Sequence, residues 1–123
     1  MKKYKIFYID DQSFALPQLI RALPTDIDYD FTHVQRIDDI LPEQYDIVFL
    51  DYYLDKDNKT ALDIVERFAG SIIVSFSTCP DKNTFMLNHG AIYGVNKLKK
   101  TNHNPQLIDC MKNIFPQSKS SLY

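Results

Sequence analysis

At 123 residues the chain is sized for one domain with one core. Hydrophobic residues make up 45% and charged residues 24%, a balance that excludes wholesale disorder, and no apolar run approaches the roughly 18 residues of a membrane span. The net charge of -2 leaves no basic excess for a phosphate backbone, so direct nucleic-acid binding is not expected, although "NKLKKTNH" at 96–103 forms a local basic patch.

The N-terminus, "MKKYKIFYIDD", has the basic start and short apolar stretch of a leader, but Asp10 and Asp11 interrupt it and no small-residue cleavage site follows. It reads as the first strand, 5–9, of a cytoplasmic protein. "FALPQLIRAL" (14–23) predicts a helix that starts late or carries Pro17 in its first turn. "YDFTHVQ" (29–35) alternates like a strand, and "IDDILPEQ" (37–44) is at most a short helix, cut by Pro42. "DIVFLD" (46–51) is a strongly apolar strand ending in another aspartate. "TALDIVERFAG" (60–70) predicts a helix stopped by Gly70. Then follow a strand at 71–76, a short helix at 81–90 ending in Gly90, and a strand at 91–96. A last helix spans 104–115, with Asn104 as N-cap and Pro105 at its first position. Residues 117–123 are expected to fray, leaving 1–116 as the domain. The two cysteines, Cys79 and Cys110, form no CxxC and are expected as reduced thiols; His33, His89 and His103 show no metal-ligand spacing.

This order is βα five times over. Apolar strands alternating with amphipathic helices imply an α/β fold: a doubly wound, five-stranded parallel sheet with helices on both faces. Such sheets bind ligands beyond the carboxyl ends of their strands. There the sequence sets Asp10 and Asp11 after the first strand, Asp51 after the third, Ser77 and Thr78 after the fourth, and Lys97 after the fifth. One aspartate would suffice to cap a helix; two side by side, with a third from another strand, call for a cation. Mg2+ fits, being hard, oxygen-seeking and often placed beside a phosphate. A carboxylate nucleophile, Mg2+, a lysine and a hydroxyl together make a phosphoryl-transfer site.

"YIDDQ", "DIVFLDYYL", "IIVSFST" and "HGAIYGVNKLK", in this order and spacing, resemble the response-regulator receiver domain of two-component signalling, and are similar to the chemotaxis regulator, over about residues 4–115. The resemblance implies a flavodoxin-like, receiver-type fold. It makes Asp51 the phosphoacceptor and Asp10, Asp11 and Asp51 the metal-binding acids, with Asp11 ahead of Asp10 as a direct ligand and the Tyr53 backbone carbonyl as a further one. Ser77, with Thr78 as the alternative register, and Lys97 would stabilise the phosphoryl group. The implied partners are a histidine kinase or phosphotransfer protein and a downstream protein target, with room for a homodimer. In a chain of this length the expected output is protein binding or phosphate relay, not an enzyme activity of its own.

Three positions depart from the family pattern. Leu98 stands where proline usually follows the lysine, Thr78 where a smaller residue follows the hydroxyl, and Gly94 where an aromatic often precedes the lysine by three. These departures keep open a phosphorylation-independent pseudo-receiver. A Mg2+-dependent phosphohydrolase using Asp51 is a further alternative, against which Tyr53 stands where such enzymes carry a second acid.

Overall fold

The apolar runs become strands β1 (Lys3–Ile9), β2 (Asp28–Val34), β3 (Ile47–Leu50), β4 (Ile72–Ser77) and β5 (Tyr93–Asn96) in a computed structural model that describes residues 2–54 and 58–118. All pairings are parallel, in the order β2-β1-β3-β4-β5. The chain steps outward from β1 to β2 and then returns to β3 on the other side. The crevice between β1 and β3 is therefore the topological switch point of a doubly wound sheet.

Strand pleating assigns alternate residues to opposite faces. Ile6, Tyr8, Phe49, Phe76 and Val95 lie in one core layer, closed by helices α1 (Leu16–Ala22) and α3 (Pro105–Ile114). Phe7, Ile9, Val48, Leu50 and Ile73 lie in the other, which Met86 of α2 (Pro80–Leu87) helps to close. Each helix carries proline in its first turn, where the missing N–H costs nothing. Asn104 caps α3 by accepting the Leu107 N–H at 3.1 Å. Helix α1 has Ala15 at its N-cap and no side-chain cap, so neither Asp10 nor Asp11 serves it.

One short crossover is as expected and one departs from the expected helix. After β2 there is a single 3₁₀ turn, Ile37–Asp39, which ends short of Pro42. The helix expected at 60–70 is instead two 3₁₀ segments, Ala61–Asp63 and Val65–Phe68, separated by Ile64 at φ -125° and ψ -10°. Its bonds run from residue i to i−3: Ile64 N–H to Ala61 at 3.2 Å and Arg67 N–H to Ile64 at 2.9 Å. With 3.0 residues per turn, the pairs Ala61/Ile64 and Val65/Phe68 each point at the sheet, and all four are buried.

The end of the sheet away from the switch crevice is stitched by Asp46, through its side chain and its backbone. Lys5 N–H donates to the Asp46 carboxylate at 2.8 Å, Asp46 N–H donates back to the Lys5 carbonyl at 2.9 Å, and Ile72 N–H reaches the Asp46 carbonyl at 2.9 Å. The Lys5 N–H holds the Asp46 carboxyl below its usual range. Tyr4 and Phe115 meet edge to face at the same end, ring centroids 4.9 Å apart. Of the tail expected at 117–123, residues 119–123 lie outside the described residues, and the Ser118 N–H bonds the Phe115 carbonyl at 3.1 Å. Among the described residues no helix is long and apolar enough to cross a membrane.

Candidate functional site

The ladder of the sheet continues one residue past three of its strands. Asp10 N–H bonds the Val34 carbonyl at 3.2 Å, Asp51 N–H the Ile9 carbonyl at 3.1 Å, and Lys97 N–H the Ser77 carbonyl at 2.9 Å. Alternation then decides where the side chains go. Asp10 continues the Ile6/Tyr8 face, Asp51 the Ile47/Phe49 face and Lys97 the Tyr93/Val95 face, so all three share the α1/α3 side of the sheet. Ser77 and Asp11 fall on the opposite parity.

Lys97 Nζ stands 2.5 Å from Asp10 Oδ2 and 2.9 Å from Asp51 Oδ1, with only 3% of its side chain exposed. Asp11 is exposed, yet carboxylate oxygens of Asp10, Asp11 and Asp51 all lie within 4.8 Å of one another. Three carboxylates against one ammonium leave the cluster with excess negative charge. Burial pushes the Asp51 carboxyl up to about 7; Lys97 opposes this and the Asp10 charge adds to it. Asp11 is also raised, first by burial and then by Asp10. Hard oxygen donors crowded together with unrelieved charge fit a hard divalent cation.

The other expected residues lie around this cluster without bonding to it. The Ser77 hydroxyl, buried, donates to the Cys79 carbonyl at 3.3 Å and accepts the Cys79 N–H at 3.1 Å. Thr78 is exposed. Tyr53 is 57% exposed, bridges to Thr60 and sets its ring edge-on to Tyr52 at 4.9 Å.

Three buried residues complete the site that sequence reasoning had not singled out. Tyr8, on the same face as Asp10, donates its hydroxyl to Asp10 Oδ2. Gln18, in α1, grips Leu98 from both sides: its Nε2 donates to the Leu98 carbonyl at 2.5 Å and its Oε1 accepts the Leu98 N–H at 3.2 Å. Asn104 adds a bond to the same Gln18 oxygen at 2.8 Å. The turn after Lys97 is thus fixed by a side chain from another element, using an N–H that proline would lack. Asn83, in α2, joins two strands. It accepts from the Ser75 hydroxyl at 2.7 Å and the Ser77 N–H at 3.1 Å, and donates to the Ser77 carbonyl at 3.1 Å, the Val95 carbonyl at 2.9 Å and the Asn96 side chain at 2.9 Å. The period-2 rule could have placed Tyr8 beneath Asp10; nothing local points to Gln18 or Asn83.

No protein-family model and no curated protein matches the sequence. Solved structures do match the fold. The phosphorylated cyanobacterial phytochrome response regulator RcpA superposes with a TM-score of 0.64 at 17% identity, covering 92% of this chain and 91% of that one. The response regulator TrrA of Thermotoga maritima, in complex with Mg(2+)-BeF, gives 0.63 at 15% identity, covering 90% and 98%. The chemotaxis response regulator CheY4 of Vibrio cholerae gives 0.60 at 14% identity, covering 92% and 99%.

Proposed function

From a chain with the fold of response-regulator receiver domains, we infer a phosphoryl-accepting signalling module with Asp51 as the acceptor. The observation that carries this reading is Lys97, buried and ion-paired to both Asp10 and Asp51 inside a cluster of three acids. Asp11 and Asp51, with Asp10 beside them, would hold Mg2+, and the Tyr53 backbone carbonyl would be a further ligand. Bound there, Mg2+ would neutralise phosphoryl oxygens as they approach the carboxylates.

Ionised Asp51 attacks the phosphorus of a phosphohistidine on a kinase or phosphotransfer protein. A P–O bond forms to Asp51 as the P–N bond breaks and the imidazole leaves. Lys97 passes from the Asp51 carboxylate to the arriving phosphoryl group while Asp10 keeps hold of it. The Ser77 hydroxyl turns from the Cys79 backbone to the phosphoryl oxygens, with exposed Thr78 as the alternative donor. Water later cleaves the acyl phosphate and restores the carboxylate. The added charge, about -1.5 to -2 at neutral pH, displaces the Ser77 loop and changes the surface offered to a protein target.

Intact-mass measurement with acetyl phosphate and Mg2+ tests the assignment. The expected result is a gain of one phosphoryl group that Asp51→Asn abolishes. Equal labelling of that variant overturns it. The departures at Leu98, Thr78 and Gly94 favour a second reading, the phosphorylation-independent binding module. Wild-type protein that gains no mass, with or without Mg2+, supports that module instead.

A further inference from the structure

A carboxylate has about four lone-pair sites. On Asp10 three are taken: Oδ2 accepts from both the Tyr8 hydroxyl and Lys97 Nζ, and Oδ1 accepts the Gln12 N–H at 3.0 Å. The Tyr8 ring is fully buried and held between two neighbours, stacked on His33 at 4.8 Å and tilted against Phe76 at 6.0 Å. His33 is itself held by the site, its Nε2 lying 3.2 Å from the Asp10 carbonyl. Phenylalanine would fill the same space and need no polar partner. The hydroxyl therefore acts on Asp10, and it does so as a neutral donor that adds no charge to the cluster.

We propose that Tyr8 is a positioning residue of this site: its hydroxyl fixes Asp10 on Lys97 and keeps that carboxylate off the metal, leaving Asp11 and Asp51 as the direct carboxylate ligands. The proposal rests on the metal-binding part of the function inferred above. Each donor on a carboxylate oxygen occupies a lone pair and draws electron density that a metal would otherwise use. Removing the hydroxyl frees one lone pair on Oδ2 and lets the side chain turn toward the ion.

Titration with Mg2+ alone, followed by thermal shift and by tyrosine fluorescence, provides the test. Tyr8→Phe is expected to bind Mg2+ several-fold more tightly than wild type. In an Asp10→Asn background the same substitution should leave the affinity unchanged, because Tyr8 works through that carboxylate. Equal or weaker binding by folded Tyr8→Phe overturns the proposal, as does full tightening without the Asp10 carboxylate. If Tyr8→Phe does not fold, wild-type NMR decides: the hydrogen-bonded Tyr8 hydroxyl proton should persist at saturating Mg2+, and its loss overturns the proposal. A wild type in which Mg2+ moves no Asp11 or Asp51 carboxyl signal removes the metal reading instead. The Lys97 ammonium signal of the metal-free protein then judges Tyr8; a signal unchanged in Tyr8→Phe overturns its role.

Discussion

Gly94 and Asn83 compete for one place: a Cβ on Gly94 would stand 3.2 Å from the Asn83 carbonyl oxygen and 3.3 Å from its Cβ. Glycine at this point lets α2 approach β5 closely enough for the Asn83 amide to reach between β4 and β5. Gly94→Ala should cost about 1–2 kcal/mol, since backbone must give way. Asn83→Ala should cost more, about 2–3 kcal/mol, because it removes the side-chain acceptor of the buried Ser75 hydroxyl and Ser77 N–H. Urea unfolding of both variants measures this. Asn83→Ala within experimental error of wild type would show that the amide network contributes nothing.

The same contact constrains switching. Tyr93 faces the α1/α3 layer, one position out of phase with Gly94, so it has no route into space beside Ser77. The Ser77 loop and α2, joined by Asn83, are expected to respond together. Hydrogen exchange with Mg2+ and beryllofluoride should change protection across residues 78–88 as a unit, and Tyr93→Ala should leave that response intact. A response abolished by Tyr93→Ala would make Tyr93 the switch.

The acid cluster sets an unusual pH dependence. Asp51 rises from 3.8 to about 7 on folding, so between those values the folded state holds a proton that the unfolded chain has lost. Its stabilising contribution is present below the unfolded value and is lost as pH climbs through about 7; Asp11, also raised, has the same sign. Metal-free protein should therefore melt lower at pH 8 than at pH 5, and millimolar Mg2+ should lift the pH 8 value most, binding only to the ionised acids. Lys97→Ala should steepen the metal-free decline. Melting that rises steadily from pH 5 to 8 without metal would contradict a buried Asp51 carboxyl raised to about 7.

Gln18→Ala strips partners from the Leu98 N–H, the Leu98 carbonyl and the Asn104 amide, and should cost about 2–3 kcal/mol. Because the turn it holds carries Lys97, the variant should also take phosphate from acetyl phosphate more slowly than its stability loss alone explains. Normal transfer in a folded Gln18→Ala protein would show that the turn holds Lys97 without Gln18.

What the sequence made legible was periodic or punctuated. Apolar runs such as "DIVFL" located strands, and Asn104-Pro105 marked the start of α3 as the structure has it. The acids and Lys97 could be brought to one edge because every parallel strand ends there. The 60–70 segment misled because apolar spacing of three, seen in Ala61/Ile64 and Val65/Phe68, suits a 3₁₀ turn as well as an α-helix. Tyr8 read as one more apolar strand residue, since its hydroxyl bond is made only once Asp10 turns to the same face. Gln18 and Asn83 act on chain segments far away in sequence, and polar residues within helical stretches carry no local sign of such partners.

Tyr4 and Phe115 touch at the end of the sheet opposite the acid cluster, which brings the first strand's start and the last helix's end side by side. The topology is therefore close to a closed ring, and the point at which that ring is cut is a matter of choice. A circular permutant that joins the ends across this contact and opens at the exposed Leu41–Pro42 segment would leave every element that carries a site residue uncut.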